Sequence, residues 1–300
     1  MTAARVFRFG VMASQAQSAD DWITKARRIE SLGYDTMVMP DVLEHVPAAF
    51  PALAIAATAT SRLRVGTYVL ANDYRNPLIT AREASTLDAL SDGRFELGIG
   101  AGRPGAEADY QKLGIPLESP GRRIERLEES LQAIKRLFQG ETIAEVGQHY
   151  TLAGSTLSPR PVQQPHPPIL VAGAARRILS LAAREADIIG IGGRPTESFD
   201  AVKEKIDWIR EAAGDRFAQL ELNANLMAVG EHVHPQALAW LGLAEAEVLG
   251  SESPFIVLGS ADEMADKLEA RRESLGFSYL LVGEAFMELF APVVERLAEK

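Results

Sequence analysis

The segment FELGIGAGRPG, residues 95–105, decides between two α/β folds. Its glycines, Gly100, Gly102 and Gly105, form G-x-G-x-x-G, which is the pattern of a dinucleotide-binding Rossmann turn. In that fold the glycines lie in the first strand-to-helix turn, and an acidic residue follows about 20 residues later at the end of the second strand. Here three strand–helix units come first, and the acidic residue Glu118 precedes a helix. The segment therefore indicates the end of a later strand in a different fold.

Strand-like and helix-like patterns alternate eight times along the 300 residues. The strand candidates are residues 6–12, 35–40, 63–70, 95–99, 169–172, 187–191, 220–229 and 277–282. Eight such units in about this length predict a single (β/α)8 TIM barrel over residues 1–300, with a doubly wound sheet as the alternative. Two irregular segments, 141–167 and 230–258, are predicted to be insertions into the barrel rather than further domains.

Composition narrows the range of partners. A net charge of −10 and an isoelectric point near 5.1 argue against binding to nucleic acid or to an anionic membrane. The absence of cysteine excludes a thiol nucleophile and a thiolate metal site. The first residues lack an apolar signal segment, and the most apolar stretch, 46–60, is too short to span a bilayer. These features predict a cytoplasmic protein that acts on a small molecule.

The carboxyl ends of barrel strands nominate the functional residues. Asp41, the glycines of 100–103 and the segment GAARR at 173–177 all follow strand candidates. GAARR combines a glycine, the N–H groups of a helix start and two arginines, which suits a phosphate, although a solvated first helical turn explains it equally well. Asp41 is the acid best placed for chemistry, and a helix-capping role is equally common for such a residue.

Metal chemistry is not favoured, and no metal site is predicted. His232 and His234 form H-x-H, but only His45 offers another histidine near a strand end. The sequence also lacks a nucleophile elbow, a P-loop and paired catalytic carboxylates at the positions where those reactions need them. A barrel mouth of this kind predicts that an organic cofactor carries the reaction.

Several long segments match a known family. They are LGYDTMVMPD (32–41), ATSRLRVGTYVLANDYRNP (59–77), REASTLDALSDGRFELGIGAG (82–102), SPGRRIERLEESLQAIKRLF (119–138), PRPVQQPHPPILVAG (159–173) and LGFSYLLV (275–282). The chain resembles the luciferase-like monooxygenase superfamily, in particular its branch of deazaflavin (coenzyme F-420)-dependent oxidoreductases. The resemblance implies a TIM-type barrel with a flavin or deazaflavin in its mouth, and a non-prolyl cis peptide within residues 68–71.

Strand-end positions and the resemblance together predict the site residues. The cofactor is expected to contact Asp41, Tyr68, Val69, Leu70, Ala71, Asn72, Gly100, Ala101, Gly102, Arg103, Gly173, Ala174, Ala175, Arg176 and Gly192. Asp41, His45 and Tyr74 are predicted to be catalytic, and Glu44 and Arg103 to bind the substrate. The cofactor is expected to be F-420, with FMN as the alternative.

Two positions depart from the family pattern. Val42 follows Asp41 where many deazaflavin-dependent relatives have a histidine, and Arg103 stands where the sugar-phosphate dehydrogenase branch has a glutamate. Both are acid–base positions in that branch, so oxidation of an alcohol is disfavoured. Reduction of an activated C=N or C=C bond asks less of the protein, since the proton can come from solvent, His45, Glu44 or Tyr74. Arg103 is then available to hold a carboxylate of the substrate or the acidic tail of the coenzyme.

The leading prediction is thus a reductase that transfers hydride from reduced F-420 to a small metabolite. The alternatives are a two-component monooxygenase that uses reduced FMN, a flavin-binding protein without turnover and, last, a metallohydrolase. The expected partners are a small-molecule substrate and a separate reductase or dehydrogenase that supplies reduced cofactor. Relatives often pair, so the helix at 122–138 could also form a homodimer surface.

Overall fold

The computed structural model describes residues 5–103 and 105–298, and its centre is a closed parallel sheet. The barrel strands are β1 (Arg8–Met12), β2 (Thr36–Met39), β3 (Arg64–Thr67, continued by Leu70–Ala71), β4 (Phe95–Gly100), β5 (Ile169–Gly173), β6 (Ile188–Ile191), β7 (Glu221–Leu226) and β8 (Phe277–Gly283). Each strand pairs with the next, and β8 pairs with β1, which closes the sheet. The predicted eight-stranded (β/α)8 barrel is confirmed.

A helix follows every strand and packs on the outside of the barrel. The helices are α1 (Ala19–Ser31), α2 (Ala49–Ala59), α3 (Pro77–Leu90), α4 (Pro120–Phe138), α5 (Arg176–Glu185), α6 (Phe199–Ala213), α7 (Ala261–Leu275) and α8 (Met287–Leu297). Ser18, Asn76, Ser119, Ser198 and Ser260 begin five of them and accept a hydrogen bond from a first-turn N–H group. No helix in residues 5–103 and 105–298 is both long enough and apolar enough to cross a membrane.

The single strand predicted at residues 220–229 is divided into two in the structure, and only the first belongs to the barrel. Barrel strand β7 ends at Leu226, and Ala228–Gly230 leaves the barrel to pair with Ile256–Leu258. The N–H group of Met227 donates to the carbonyl of Phe255 at 2.8 Å, so the exit is fixed by a partner nearly thirty residues away. Local alternation of apolar residues carries no information about such a partner.

The irregular segments contain some regular structure of their own. Residues 141–167 include an antiparallel hairpin of Ile143–Val146 and Thr151–Ser155. Residues 230–258 include two short helices, Pro235–Leu241 and Glu245–Leu249. A further short helix, Glu107–Leu113, follows β4 and lies outside the predicted units.

The inside of the barrel is layered. Glu96 lies near the amino-terminal end with Arg8, Arg64 and Glu221, and these groups form a charged floor. Above the floor lies an apolar layer that contains Val38, Leu170, Ile188, Tyr279 and Leu281. Further along the same strands, towards their carboxyl ends, the next inward-facing residues surround the opening of the barrel.

Candidate cofactor and active site

A cavity of about 460 Å³ opens at the carboxyl end of the barrel. Many of the predicted site residues line it, namely Asp41, Tyr68, Val69, Leu70, Ala71, Tyr74, Gly100, Ala101, Gly102, Arg103, Gly173, Ala174 and Gly192. They come from β2 to β6 and from the loops that follow, as expected where parallel strands end together.

One wall of the cavity is a distortion of β3. Val65 pairs with Phe95 and Leu70 pairs with Ile99, so β3 has one residue more than β4 between these two pairings. The Tyr68–Val69 peptide bond in this bulge is cis, which confirms the bond predicted within residues 68–71. The bulge is anchored through the hydroxyl of Tyr68, which donates to Oδ1 of Asn223 at 2.9 Å.

The same bulge explains two glycines of the segment 95–105, Gly98 and Gly100. A Cβ at Gly98 would lie 1.9 Å from the carbonyl oxygen of Thr67, and one at Gly100 would lie 2.9 Å from a methyl group of Val69. The side chain of Thr67 occupies the gap in the ladder, because its Oγ1 accepts from the N–H of Gly98 at 2.9 Å. The glycines are therefore required by the close approach of β3 to β4.

Asp41 lies in the cavity wall with both carboxylate oxygens engaged. Arg75 donates from Nη1 to Oδ2 at 2.6 Å and from Nη2 to Oδ1 at 3.2 Å. The N–H group of Ala71 donates to the same Oδ2 at 3.1 Å. Burial by itself would lower the pKa of Arg75, but the hydrogen bond and charge of Asp41 outweigh it and raise that pKa. This carboxylate is thus well placed to brace the wall and poorly placed to accept a substrate proton.

Tyr74 and Arg103 meet at a carboxylate that the sequence did not indicate. The Tyr74 hydroxyl donates to Oδ2 of Asp109 at 3.3 Å, and Arg103 donates from Nη2 to the same oxygen at 3.0 Å. The side chain of Asp109 is only 3% exposed. Burial, with the charge of Asp109 next in weight, raises the pKa of Tyr74. Tyr74 is therefore a neutral phenol that keeps its proton at neutral pH.

The predicted phosphate loop lies at the start of α5. Gly173 and Ala174 line the cavity, and Ala175 precedes the helix without a side chain that could cap it. No capping side chain accepts a hydrogen bond from the N–H groups of the first turn, so these groups suit an anion. The two arginines are engaged elsewhere, since Arg176 pairs with Glu211 at 2.7 Å and Arg177 with Glu125 at 2.8 Å, all of them well exposed.

Comparison with known proteins agrees with this geometry. The sequence pattern of the family described as luciferase-like monooxygenase matches residues 4–239. The chain belongs to the luciferase-like monooxygenase family. The predicted family and the prediction of a luciferase-like oxidoreductase are thereby confirmed.

Members with different cofactors are among the relatives of this luciferase-like protein. It is 30% identical to the F420-dependent glucose-6-phosphate dehydrogenase of Beutenbergia cavernae, covering 89% of this chain and 83% of that protein. It is 26% identical to the FMNH2-dependent dimethylsulfone monooxygenase of Pseudomonas putida, covering 73% of this chain and 57% of that protein. The F420-dependent tetrahydromethanopterin reductase of Methanopyrus kandleri has the same fold, with a TM-score of 0.80, 17% identity and coverage of 97% and 98%.

Some predicted site residues of this family member lie outside the cavity lining. His45 and Glu44 are exposed, and Glu44 forms an ion pair with Lys112. Asn72 is buried and donates from Nδ2 to the hydroxyl of Tyr150 at 3.0 Å. Ala175 and Arg176 follow directly after the lining residues Gly173 and Ala174 but are not themselves part of the lining. Their predicted roles remain predictions.

The H-x-H pair does not form a metal site. Nδ1 of His234 accepts from the N–H of Gln236 at 3.2 Å, so this histidine begins a short helix. His232 is exposed. Within residues 5–103 and 105–298, no three His, Asp or Glu side chains come together as a metal-binding group.

Sequence reasoning missed several lining residues of the luciferase-like cavity. They are Pro40, Val42, Ala172, Asn225 and Met227. Asn225 is the most informative, because Asn223 and Asn225 occupy alternate positions of β7 and so face the same side of the sheet. Two asparagines at this spacing, alternating with the apolar Leu222, Ala224 and Leu226, are a signal that could have indicated the site.

Proposed function

We propose that this protein is a reductase that binds F-420 in the barrel cavity and reduces a C=N or C=C bond of a small molecule. The observation that carries the proposal is the state of Asp41. This carboxylate lies in the cavity wall, and its oxygens are occupied by Arg75 and by the N–H of Ala71. Oxidation of an alcohol needs a group that takes the hydroxyl proton, whereas reduction of an unsaturated bond does not.

The cavity suits a deazaflavin. Its walls are mainly apolar, and Val69 faces Gly100 across a narrow approach where a side chain at residue 100 would collide. The uncapped start of α5 beside Gly173 and Ala174 offers N–H groups to the acidic part of the coenzyme. F-420 supplies hydride transfer when it is bound, and the protein supplies orientation and exclusion of water.

The polar residues of the mouth have separate roles in this proposal. Asp41 braces the cofactor wall through Ala71 and is not the base. Tyr74 donates its hydroxyl hydrogen to Asp109, so it can give a proton to the product side of the reduced bond only when that hydrogen bond is released, and solvent is the alternative source. Arg103 is half exposed beside the cavity and can shift towards an anionic group of the substrate or coenzyme. The exposed His45 and Glu44 are less well placed for proton transfer than Tyr74.

A monooxygenase that uses reduced FMN is the second candidate function. The similarity to the FMNH2-dependent dimethylsulfone monooxygenase favours it. The two functions need the same cavity and differ in what accepts the electrons. In either case we propose a cytoplasmic enzyme that depends on a separate reductase or dehydrogenase for reduced cofactor and is able to pair as a homodimer.

Cofactor titration tests the proposal first. The purified protein is titrated separately with F-420 and FMN, each oxidised and reduced, and binding is followed by fluorescence. Gly100→Val, which fills the narrow approach beside Val69, is the matched variant and should lose affinity for the cofactor that binds the wild type. Selective binding of F-420 supports the reductase, and selective binding of reduced FMN transfers the proposal to the monooxygenase. Binding of neither cofactor overturns both.

Turnover then separates the chemistries. In one assay, reduced F-420 and the protein are mixed with small imines or enoyl compounds. In the contrasting assay, oxidised F-420 and the protein are mixed with glucose 6-phosphate. We expect oxidation of reduced F-420 by an unsaturated compound and no reduction of F-420 by the sugar phosphate. Oxygen consumption in the presence of FMN and a flavin reductase would instead indicate the monooxygenase.

A further inference from the structure

Asn225 carries a buried hydrogen-bond acceptor at the inner side of the barrel mouth. Its Oδ1 is enclosed, and among the described residues no donor reaches it. The residue lines the main cavity and also a smaller cavity beside it. An enclosed acceptor without a donor is unfavourable, so a ligand that supplies the donor is favoured on binding.

Asn223 is an asparagine of the same strand whose side-chain amide has hydrogen-bond partners on both its oxygen and its nitrogen. It lies two residues earlier, on the same face of β7. Its Oδ1 accepts from the hydroxyl of Tyr68 at 2.9 Å, and its Nδ2 donates to the carbonyl of Tyr279 at 3.0 Å. Asn225 differs from Asn223 in that its Oδ1 accepts from no donor among the described residues, while the residue itself borders both cavities.

The size and walls of the smaller cavity indicate which kind of group could accompany the hydrogen-bond donor of the ligand. Its volume is about 180 Å³, and Met12, Leu226, Met227 and Phe286 give it apolar walls. A protein cavity of about 150 Å³ accommodates benzene, so a single ring or a short branched chain fits here. Glu284 at its edge is already bound by Lys25 at 2.6 Å, and it accepts from the N–H of Ser14 at 3.0 Å. This carboxylate therefore does not demand a cationic ligand.

We infer that Asn225 and the smaller cavity form the substrate subsite, and that the substrate is a compact molecule with an O–H or N–H donor beside an apolar ring or branched chain. The inference rests on the proposed function, because it takes the larger cavity as the place of the cofactor. Asn225 is then a specificity-determining residue, which selects substrates by a donor and excludes purely hydrocarbon ligands of the same shape.

The test compares two probes of nearly equal shape, phenol and toluene, on the full-length protein. Their dissociation constants are measured by ligand-observed nuclear magnetic resonance for the wild type and for Asn225→Leu, which keeps the side-chain size and removes the acceptor. We expect the preference for phenol relative to toluene to fall by about tenfold in the variant, which is the contribution of about one hydrogen bond. The four dissociation constants form a double-mutant cycle that isolates this contribution from the change in side-chain shape. Asn225→Ala removes the acceptor without adding atoms and should give the same fall, which keeps the test available if Asn225→Leu does not fold.

The outcomes separate this inference from the proposed function. An unchanged phenol-to-toluene ratio in a folded variant overturns the inference. If the ratio is unchanged and F-420 affinity falls in the variant, Asn225 serves the cofactor, so the inference fails while the reductase proposal stands. If the ratio falls but the wild type binds neither F-420 nor FMN, the donor-selective subsite is supported and the proposed function fails.

Discussion

Arg75 and Asp41 form a two-pronged ion pair at the barrel mouth, with nitrogen–oxygen distances of 2.6 and 3.2 Å. The side chain of Asp41 is 7% exposed, and that of Arg75 is 22% exposed. Because Asp41 also accepts from the N–H of Ala71, the pair connects the end of β2 to the bulged wall of β3. Asp41, which is predicted to be catalytic from its position at a strand end, thus also supports the cavity wall.

Substitution of Asp41 by asparagine should therefore affect both stability and cofactor binding. Asp41→Asn removes the charge that pairs with Arg75, and we expect a loss of about 1.5–3 kcal/mol in the free energy of unfolding. Cofactor affinity should fall with it because the wall loosens. Urea unfolding and fluorescence titration check this result. Arg75→Lys, which keeps the charge and loses the two-pronged geometry, is the control and should show a smaller effect. Full stability and affinity in Asp41→Asn would contradict the bracing role.

The glycines of β4 should differ in their tolerance of a methyl group. In Gly98→Ala the new Cβ meets a backbone oxygen of Thr67 at 1.9 Å, so the strands must separate. We expect a loss of about 3 kcal/mol or more, or failure to fold. In Gly100→Ala the Cβ meets a side-chain methyl of Val69 at 2.9 Å, which can give way, and the loss should be about 1 kcal/mol. Thermal unfolding measures both, and equal stability of the two variants would contradict the packing argument.

Much of the barrel could be predicted because its signals are local. Apolar periodicity located all eight strands, and capping residues such as Ser18 and Asn76 lie where helices begin. The glycines of 95–105 could be assigned to a later strand end by counting the units before them. The boundaries that failed, after Thr67 and after Leu226, depend on pairings with distant segments, which alternation along the chain does not encode.

The site was less predictable because its polar partners meet only in the folded chain. Asp41 was found from its strand end, but its engagement by Arg75 depends on how the loop after β3 folds back. Asp109 was missed because it belongs to a short helix after β4 that carries no strand-end signal. His45 and Glu44 carry groups that can transfer protons, which is why the sequence nominates them. They lie on an exposed loop after β2 and are not part of the cavity lining.

The charged floor predicts opposite behaviour for two glutamates. Burial would raise the pKa of Glu96, but Arg8 and Arg64 outweigh it and lower that pKa, whereas burial, with Glu96 adding to it, raises the pKa of Glu221. The stability that Glu96 contributes is therefore present above its unfolded pKa and lost as the pH falls through its lower folded value. Glu221 favours the folded state only at low pH, and this contribution is lost as the pH rises through its raised folded value.

Glutamine substitutions separate these contributions. At neutral pH, Glu96→Gln removes the carboxylate charge that pairs with Arg64 and should lose about 3 kcal/mol or more of unfolding free energy. Glu221→Gln should lose little or no unfolding free energy, because the ionised form of Glu221 is disfavoured in the folded state at neutral pH and Arg8 keeps its pair with Glu96 at 2.7 Å. Urea unfolding between neutral and mildly acidic pH checks both variants. A greater loss in Glu221→Gln than in Glu96→Gln would contradict the assignment of Glu96 as the centre of the floor.

The buried tyrosines predict that the protein unfolds at high pH. The sequence has six, at positions 34, 68, 74, 110, 150 and 279, and the structure encloses the phenol of each to some degree. Burial raises the pKa of Tyr110 and of Tyr150 to about 12, and it raises the pKa of the other four as well.

Each raised pKa is linked to stability with the same sign. Below the usual value of 10.0 all six phenols are neutral in both states, so their contribution is fully present. Above it the unfolded chain ionises first, and stability falls as the pH rises towards the folded values. We expect the near-ultraviolet absorbance of phenolate to stay low in the native protein near pH 10 and to appear together with loss of helical circular dichroism at higher pH. The urea-unfolded protein should titrate near the usual value. Native phenolate absorbance near pH 10 with intact circular dichroism would mean that several of these hydroxyls are open to solvent, contrary to the packing described.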